Sequence, residues 1–424
     1  MKKYITLLIA FSFLTSCSYK EDNTFEQKAS NRTTSVIESY KNILEGHDGY
    51  WVLSYYPGVT RSFGGFPAAP RSLGGYTFVV KFKDGKVTAS SEISNTNAEE
   101  ESYYTYSITE GPTISFDTYN SILDHFRFVS AVFTNARGGD IEFIFLKEEN
   151  GVVTLRGRTS NNLMTLTKLT GDREALLNKL RENTQALNSK GLNPITVQGT
   201  QVDLTLFPSY RQLVFSYGGN TVQRPFTITE KGIKFYEPVS INNVTLSELY
   251  FNEDKTALVS PDGNFSSALV PSPLTITNST VISFEDSKAS PYLIEKYEAA
   301  KGWAENIFSW GTLSKKVKLV PMTGNEGENA TGIEIVETTQ DGSGWSGYYL
   351  VDFVGVAGAP TQVKFLSKGP QDSKENYLYF FKDPAIWLAE ILVRSAPYTV
   401  ENHSSEYYRL VSVGDANVWF LVKK

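Results

Sequence analysis

Few residues in this 424-residue chain are equipped for chemistry, and their spacing sorts them. Cysteine occurs once, at Cys17, which excludes an intramolecular disulfide and a multi-thiolate metal site. The three histidines, His47, His125 and His403, stand far apart, and none belongs to a His-Glu-x-x-His helix or a His-x-His pair. No Gly-x-Ser-x-Gly elbow is present to expose a serine nucleophile. Carboxylates remain. Asp140 and Glu142 alternate in a strand-like run and so share a face, and Asp117 lies in a segment able to approach them. Two carboxylates about 5 to 10 Å apart in a cleft are what glycoside hydrolysis requires. The bland reading is that neighbouring acids on an outward strand face are simply solvated. Asp262-Gly263-Asn264 and Asp341-Gly342-Ser343 lack the bidentate glutamate of a calcium loop and read as turns. The expectation is a protein with no metal and no cofactor.

Binding needs less. Aromatic side chains on loops can stack on sugars or grip a peptide, and Tyr55, Tyr56, Phe63, Phe66 and Trp345 qualify by expected loop position. Against this, most aromatics in a folded domain belong to its core. Phe63 falls in an internal echo, Arg61-Ser62-Phe63-Gly64-Gly65 and then Arg71-Ser72-Leu73-Gly74-Gly75. Neither glycine pair is followed by the helix start or Lys-Ser/Thr of a phosphate cradle, so a flexible hairpin loop is expected.

The first seventeen residues state an address. Met1-Lys2-Lys3 is a positive start, Tyr4 to Leu14 is an apolar run too short to span a bilayer, and Leu14-Thr15-Ser16-Cys17 closes it. This resembles a bacterial lipoprotein signal peptide, which implies acylation of Cys17 and a membrane anchor. Ser18-Tyr19-Lys20-Glu21-Asp22 is similar to the surface-export signal of Bacteroidota lipoproteins, which implies an outer-membrane location facing the exterior. The following residues are polar enough to be a tether.

Removing Lys2 and Lys3 from the 40 basic residues leaves 38 against 46 acidic ones, a net charge of −8. Such a chain lacks the basic footprint of a nucleic-acid binder. An aromatic share of 13% suits pleated, half-buried faces, and the length allows two or three domains. Thr34 to Leu44 has helical spacing. Strand signals follow from Tyr50 to Tyr56, from Tyr76 to Phe82, and at short intervals to Leu169, with Asp84-Gly85 and Asn150-Gly151 as hairpin turns. Asp172 caps a helix with apolar Leu177, Leu180 and Leu187, beyond which the β pattern resumes. Tyr106-Ser107-Ile108-Thr109-Glu110 is echoed about 120 residues later by Phe226-Thr227-Ile228-Thr229-Glu230, either a trace of duplication or a coincidence between two hairpins. The expected fold is mainly β: two antiparallel β-barrel or bent-sheet, lipocalin-like domains with a few short helices and one connecting helix. Its parts are a signal peptide (1–17), tether (18–33), N-terminal β domain (34–170), connecting helix (171–192) and C-terminal β domain (193–424).

Gly74-Gly75-Tyr76, Ile114-Ser115-Phe116-Asp117-Thr118-Tyr119-Asn120 and Gly139-Asp140-Ile141-Glu142-Phe143 occur in an order similar to a family of Bacteroidota lipoproteins that carry a domain of unknown function. The resemblance runs from about residue 35 to 250. Such proteins are commonly encoded beside starch-utilisation-type (SusD/RagB-like) uptake systems and zinc-metallopeptidase-like lipoproteins. The resemblance therefore implies a non-catalytic accessory of nutrient uptake, with a glycan or peptide ligand and an outer-membrane receptor or peptidase lipoprotein as partner. Two alternatives stand beside it: a hydrolase acting through Asp117, Asp140 or Glu142, and a purely structural docking partner. The address is checked on intact cells: added protease removes the wild-type protein from the surface, and Cys17→Ala abolishes membrane association.

Overall fold

The structure, a computed structural model, describes residues 29–58, 74–94, 96–128, 138–308, 311–323, 329–339, 344–370 and 385–424. Helix α1 (Ala29–Glu45) is followed by β1 (Trp51–Tyr55), β2 (Tyr76–Lys83), β3 (Lys86–Ser91), β4 (Glu100–Ile108), β5 (Pro112–Phe116), β6 (Glu142–Glu149), β7 (Val152–Gly157) and β8 (Leu163–Lys168). Each strand pairs antiparallel with its neighbour in sequence, and β1 closes the barrel on β8, so Leu53 lies opposite both Phe78 and Leu166. Closure leaves no exposed edge. The alternating side chains Trp51, Leu53 and Tyr55 of β1 and Tyr76, Phe78, Val80 and Phe82 of β2 are all buried. The Tyr55 ring meets Phe78 edge-on at 5.0 Å and stacks on Phe126 at 5.6 Å. The topology is that of a lipocalin-like meander, but aromatic rings fill its interior. At one end α1 acts as a plug, with Leu44 fully buried, Tyr40 stacked on Phe145 at 4.2 Å, and Glu45 accepting a hydrogen bond from the Tyr104 hydroxyl at 2.7 Å.

Helix α2 (Arg173–Leu187) starts where Asp172 accepts the Ala175 N–H at 2.7 Å, and it buries Leu177, Leu180, Asn183 and Leu187. Its Arg181 reaches back to the carbonyls of Ser91, Ser94 and Thr96, tying the β3–β4 connection to the helix. A second meander follows: β9 (Lys190–Leu192), β10 (Ile195–Val197), β11 (Thr200–Phe207), a 3-10 turn at Pro208–Tyr210, β12 (Gln212–Tyr217), β13 (Asn220–Ile228), β14 (Gly232–Ile241), β15 (Val244–Phe251), β16 (Ala257–Val259) and β17 (Ser266–Pro271). The sheet curls so far that its two end strands, β9 and β10, are consecutive pieces of one segment interrupted at Asn193-Pro194. Proline has no N–H to give a ladder, which is why the strand breaks there. The echoed hairpin falls at the same place in both meanders. It joins β4 to β5 in the first, and β13 to β14 in the second, each midway through a helix-plus-meander unit. Shared placement supports duplication over coincidence.

The expected single domain at 193–424 is in fact two units. After β17 the chain crosses Ser272-Pro273 and begins a third sheet, with β18 (Val281–Ser283), α3 (Pro291–Phe308), β19 (Gly311–Leu313), β20 (Lys316–Thr323), β21 (Asn329–Thr339), β22 (Gly344–Val356), β23 (Ala359–Pro370), α4 (Ala385–Arg394), β24 (Tyr398–Asn402), β25 (Tyr407–Ser412) and β26 (Trp419–Lys423). Pairing of β21 with β22 closes this ring, and its core is separate from that of the second meander. The run Tyr377 to Phe381, whose composition also predicts a strand, lies outside the described residues. Helix α3 runs through Gly302.

The three units meet at the turn between β11 and β12. Arg211 holds Glu92 of the first barrel in a two-pronged ion pair, 2.8 and 3.1 Å, both side chains buried, and donates to the Gly75 carbonyl at 2.7 Å. Its guanidinium also lies 4.2 Å from the centre of the Tyr76 ring. Glu92 in turn accepts the Thr77 N–H at 2.8 Å. Two residues before Arg211, Ser209 donates to the Asp352 carboxylate of the third unit at 3.0 Å, beside the buried Lys368–Asp352 pair at 2.6 Å. Removing one partner of a buried, hydrogen-bonded ion pair costs about 3 to 5 kcal/mol. Arg211→Ala should therefore lower unfolding stability by about that amount in denaturant melts, and Arg211→Met with Glu92→Met should recover most of it.

Candidate functional site: an aromatic rim on the first barrel

Two of the three motif segments prove architectural. Gly74 and Gly75 pass where side chains cannot: a Cβ on Gly75 would lie 2.4 Å from the Tyr56 ring, and one on Gly74 would lie 2.3 Å from Cβ of Arg211. Their N–H groups donate across to Tyr210 and Phe226 of the second meander. Asp140 is buried, with its carboxylate accepting the N–H groups of Thr159 at 2.5 Å and Ser160 at 3.1 Å in the β7–β8 turn. Its backbone is bracketed by the Tyr55 hydroxyl, which accepts from the Asp140 N–H and donates to its carbonyl. Burial, reinforced by the nearby Asp140 charge, pushes the Tyr55 phenol far above its ordinary pKa and keeps it protonated for this role.

The third segment divides. Asn120 is buried and caps the turn that follows, accepting the N–H groups of Ile122 and Leu123 at 3.1 Å and donating to the Glu100 carbonyl at 3.1 Å. Asp124 closes the same turn by accepting the Asn120 N–H at 2.9 Å, and it pairs with Arg127 at 2.6 Å. Leu123 and Phe126 then insert into the barrel end. Thr118 accepts the Tyr103 N–H at 2.9 Å. Every even-numbered residue from 118 to 126 is thereby held or partly buried, while Asp117 and Tyr119 face solvent.

The outward side chains form a platform. Tyr119 and Phe128 are 66% and 49% exposed, yet their ring centres lie 5.8 Å apart at an interplanar angle of 57°. Arg127 covers Phe128 at 5.4 Å from the ring centre. Tyr103, 55% exposed, projects from the strand on which residues 117 and 118 are hydrogen-bonded. The result is a set of exposed rings on a braced loop, with a carboxylate and a guanidinium alongside. Such a surface can stack on a flat apolar face and hydrogen-bond around it.

The residues expected from sequence are dispersed. Tyr55 and Tyr56 are buried, the first in the barrel core and the second edge-on to Tyr236 of the second meander at 4.6 Å, so neither is a loop platform. The strand pattern that places Tyr55 inside was stronger than its nearness to Pro57-Gly58. Trp345 occupies β22 opposite Glu337, in a strand rather than a loop. Cys17, Phe63 and Phe66 lie outside the described residues. Of the carboxylates, Asp140 is enclosed, Glu142 pairs with Arg158 at 2.8 Å, and Asp117 alone is at the rim. Tyr119 and Phe128 were missed because nothing in their spacing marks exposure. Asn120 followed by Asp124, a turn-capping pattern, was the available signal. His125 lies edge-on to Phe126 at 4.7 Å and lines a small cavity of about 50 Å³. Among the described residues no group of three or more histidine, cysteine or acidic side chains is arranged to hold a metal, and no helix is long and apolar enough to cross a membrane.

A family model described as a domain of unknown function, DUF4302, matches residues 21–253, more than half of the chain. The chain belongs to the DUF4302 family. The DUF4302 span includes the first barrel, the connecting helix, both partners of the Glu92–Arg211 pair and the whole aromatic rim. It ends after β15, and the third unit lies beyond it. No curated protein matches the chain. A solved structure of the vaccine antigen Transferrin Binding Protein B from Haemophilus parasuis, a Trp-to-Ala mutant, shows 10% identity over 88% of this chain and 74% of its own, with a TM-score of 0.14. A likeness of that size bears on neither fold nor function.

The rim and its brace separate experimentally. Asn120→Ala should cost about 1 to 3 kcal/mol of unfolding stability by orphaning buried amides. Tyr119→Ala should change stability by less than about 0.5 kcal/mol in the same melts.

Proposed function

We propose that this DUF4302 protein is a lipid-anchored outer-membrane lipoprotein that holds glycans at the cell surface for a nutrient-uptake system. The observation that carries the reading is the exposed Tyr119–Phe128 pair on a loop whose neighbouring polar groups are engaged in holding it still. Rings left in water by a rigid scaffold suit the apolar faces of sugar rings, and Asp117 and Arg127 stand beside them for hydroxyl groups. The N-terminal acylation signal supports placement at a membrane, and the Ser18–Asp22 segment supports export to its outer face. A receptor of the uptake system or a peptidase lipoprotein is the partner this reading implies. The non-catalytic part of this reading is supported by the Asp140 carboxylate being occupied by backbone N–H groups and Glu142 by Arg158, which leaves Asp117 apart from both.

A glycan array probed with the mature protein should show binding to polysaccharide fragments that falls at least roughly tenfold in Tyr119→Ala/Phe128→Ala, about the loss expected from two stacking contacts. The bound fragments should be recovered at unchanged length. Peptide binding in place of glycan binding, or full retention in the double variant, would refute the assignment.

A further inference from the structure

A cleft of about 340 Å³ opens between the second meander and the third sheet, lined by none of the residues of the aromatic rim. One wall is the last turn of α2 and the start of β9, including Asn188 and Lys190. The linker at Ser272 forms another, and Thr331, Asp352 and Phe353 of the third sheet complete it. Two contacts hold the walls at a set distance. On one side the backbones of Gly191 and Gly355 touch so closely that a Cβ on Gly191 would lie 2.1 Å from the Gly355 oxygen. On the other, Asp352 is locked by Lys368 and Ser209. The Ser272 N–H also donates to the Ser189 carbonyl at 2.9 Å across the join. The cleft is thus preformed, and its volume lies at the small end of the range for ligand sites, about 300 to 1,000 Å³.

Its chemistry selects against ions of either sign. The carbonyl end of α2 opposes an anion, and the Lys190 ammonium opposes a cation. Lys190 has no ion-pair partner among the described residues. The Asp352 charge is already balanced by Lys368. What the lining offers is donors and acceptors together, from an ammonium, an amide, hydroxyl groups and a neutralised carboxylate, around the Phe353 and proline surfaces. We infer that this cleft is a second binding site, for a single small neutral polyhydroxylated molecule of the size of one or two sugar residues. The inference stands independently of the rim, with which the cleft shares no residue.

The test is calorimetric titration of the full mature chain, held in a non-glycosidic detergent, with neutral monosaccharides and disaccharides, inorganic phosphate and calcium. The expected result is saturable binding of at least one neutral sugar, weakened roughly tenfold or more by Lys190→Met and by filling the cleft with Thr331→Tyr, and unaltered in Tyr119→Ala/Phe128→Ala. Lys190→Met decides the matter if Thr331→Tyr does not fold. Absence of neutral-sugar binding overturns the inference, as does tighter binding of phosphate or calcium, or full binding in Lys190→Met. Loss of binding in the rim variant would likewise assign the sugar to the rim and overturn the cleft as its site.

Discussion

A guanidinium taken out of water between two β units must find partners for its charge and its donors there, and Arg211 does. Its plane is matched by the Glu92 carboxylate, a further N–H by the Gly75 carbonyl, and its face by the Tyr76 ring. Each of those groups belongs to the first barrel, and each must itself be correctly placed. Glu92 is positioned by the Thr77 N–H, and the Gly75 carbonyl by a backbone that only glycine can bring so close to Tyr56 and Thr227. The interaction therefore transmits a requirement for precise backbone placement from one unit to the next. Because Ser209 of the same turn binds Asp352, the four residues between β11 and β12 bind all three units together.

With the units joined in this way, the described side chains of the first barrel pack its interior. Aromatic rings fill it, α1 covers one end, and Leu123 and Phe126 cover the other. What remains for recognition is the outer surface of the closing loop and the seams between units. The rim is the first kind of place and the cleft the second. Both depend on a rigid frame, the rim on the Asn120 and Asp124 hydrogen bonds and the cleft on the Gly191–Gly355 approach and the Asp352 knot.

The first barrel was legible almost strand by strand, since a meander pairs each strand with the next and its register follows from short turns such as Asp84-Gly85. Helix α2 was legible from Asp172 and the spacing of Leu177, Leu180 and Leu187. The boundary between the second and third units was not, because short strands such as β16 and β18 carry too little pattern to show which sheet they join. The candidate site was less visible still. Tyr55 and Tyr119 are both tyrosines beside turn-forming residues, yet one is buried and the other is two-thirds exposed. Locally they differ only in the strand alternation that leads into Tyr55 and the Asn120–Asp124 turn pattern that follows Tyr119.

Patterning along the chain, then, settles matters of near neighbours: an antiparallel β architecture, a capped helix between meanders, and a net acidic charge. Each rests on residues a few positions apart, where propensity and turn chemistry act. Contacts over more than a hundred residues, such as Arg211 with Glu92 or Ser209 with Asp352, depend on how finished sheets dock. Docking is governed by shape and by the pairing of buried polar groups. Closure of the first barrel, by the same rules, turned Asp140 and Tyr55 into structure while leaving Tyr119 and Phe128 in water.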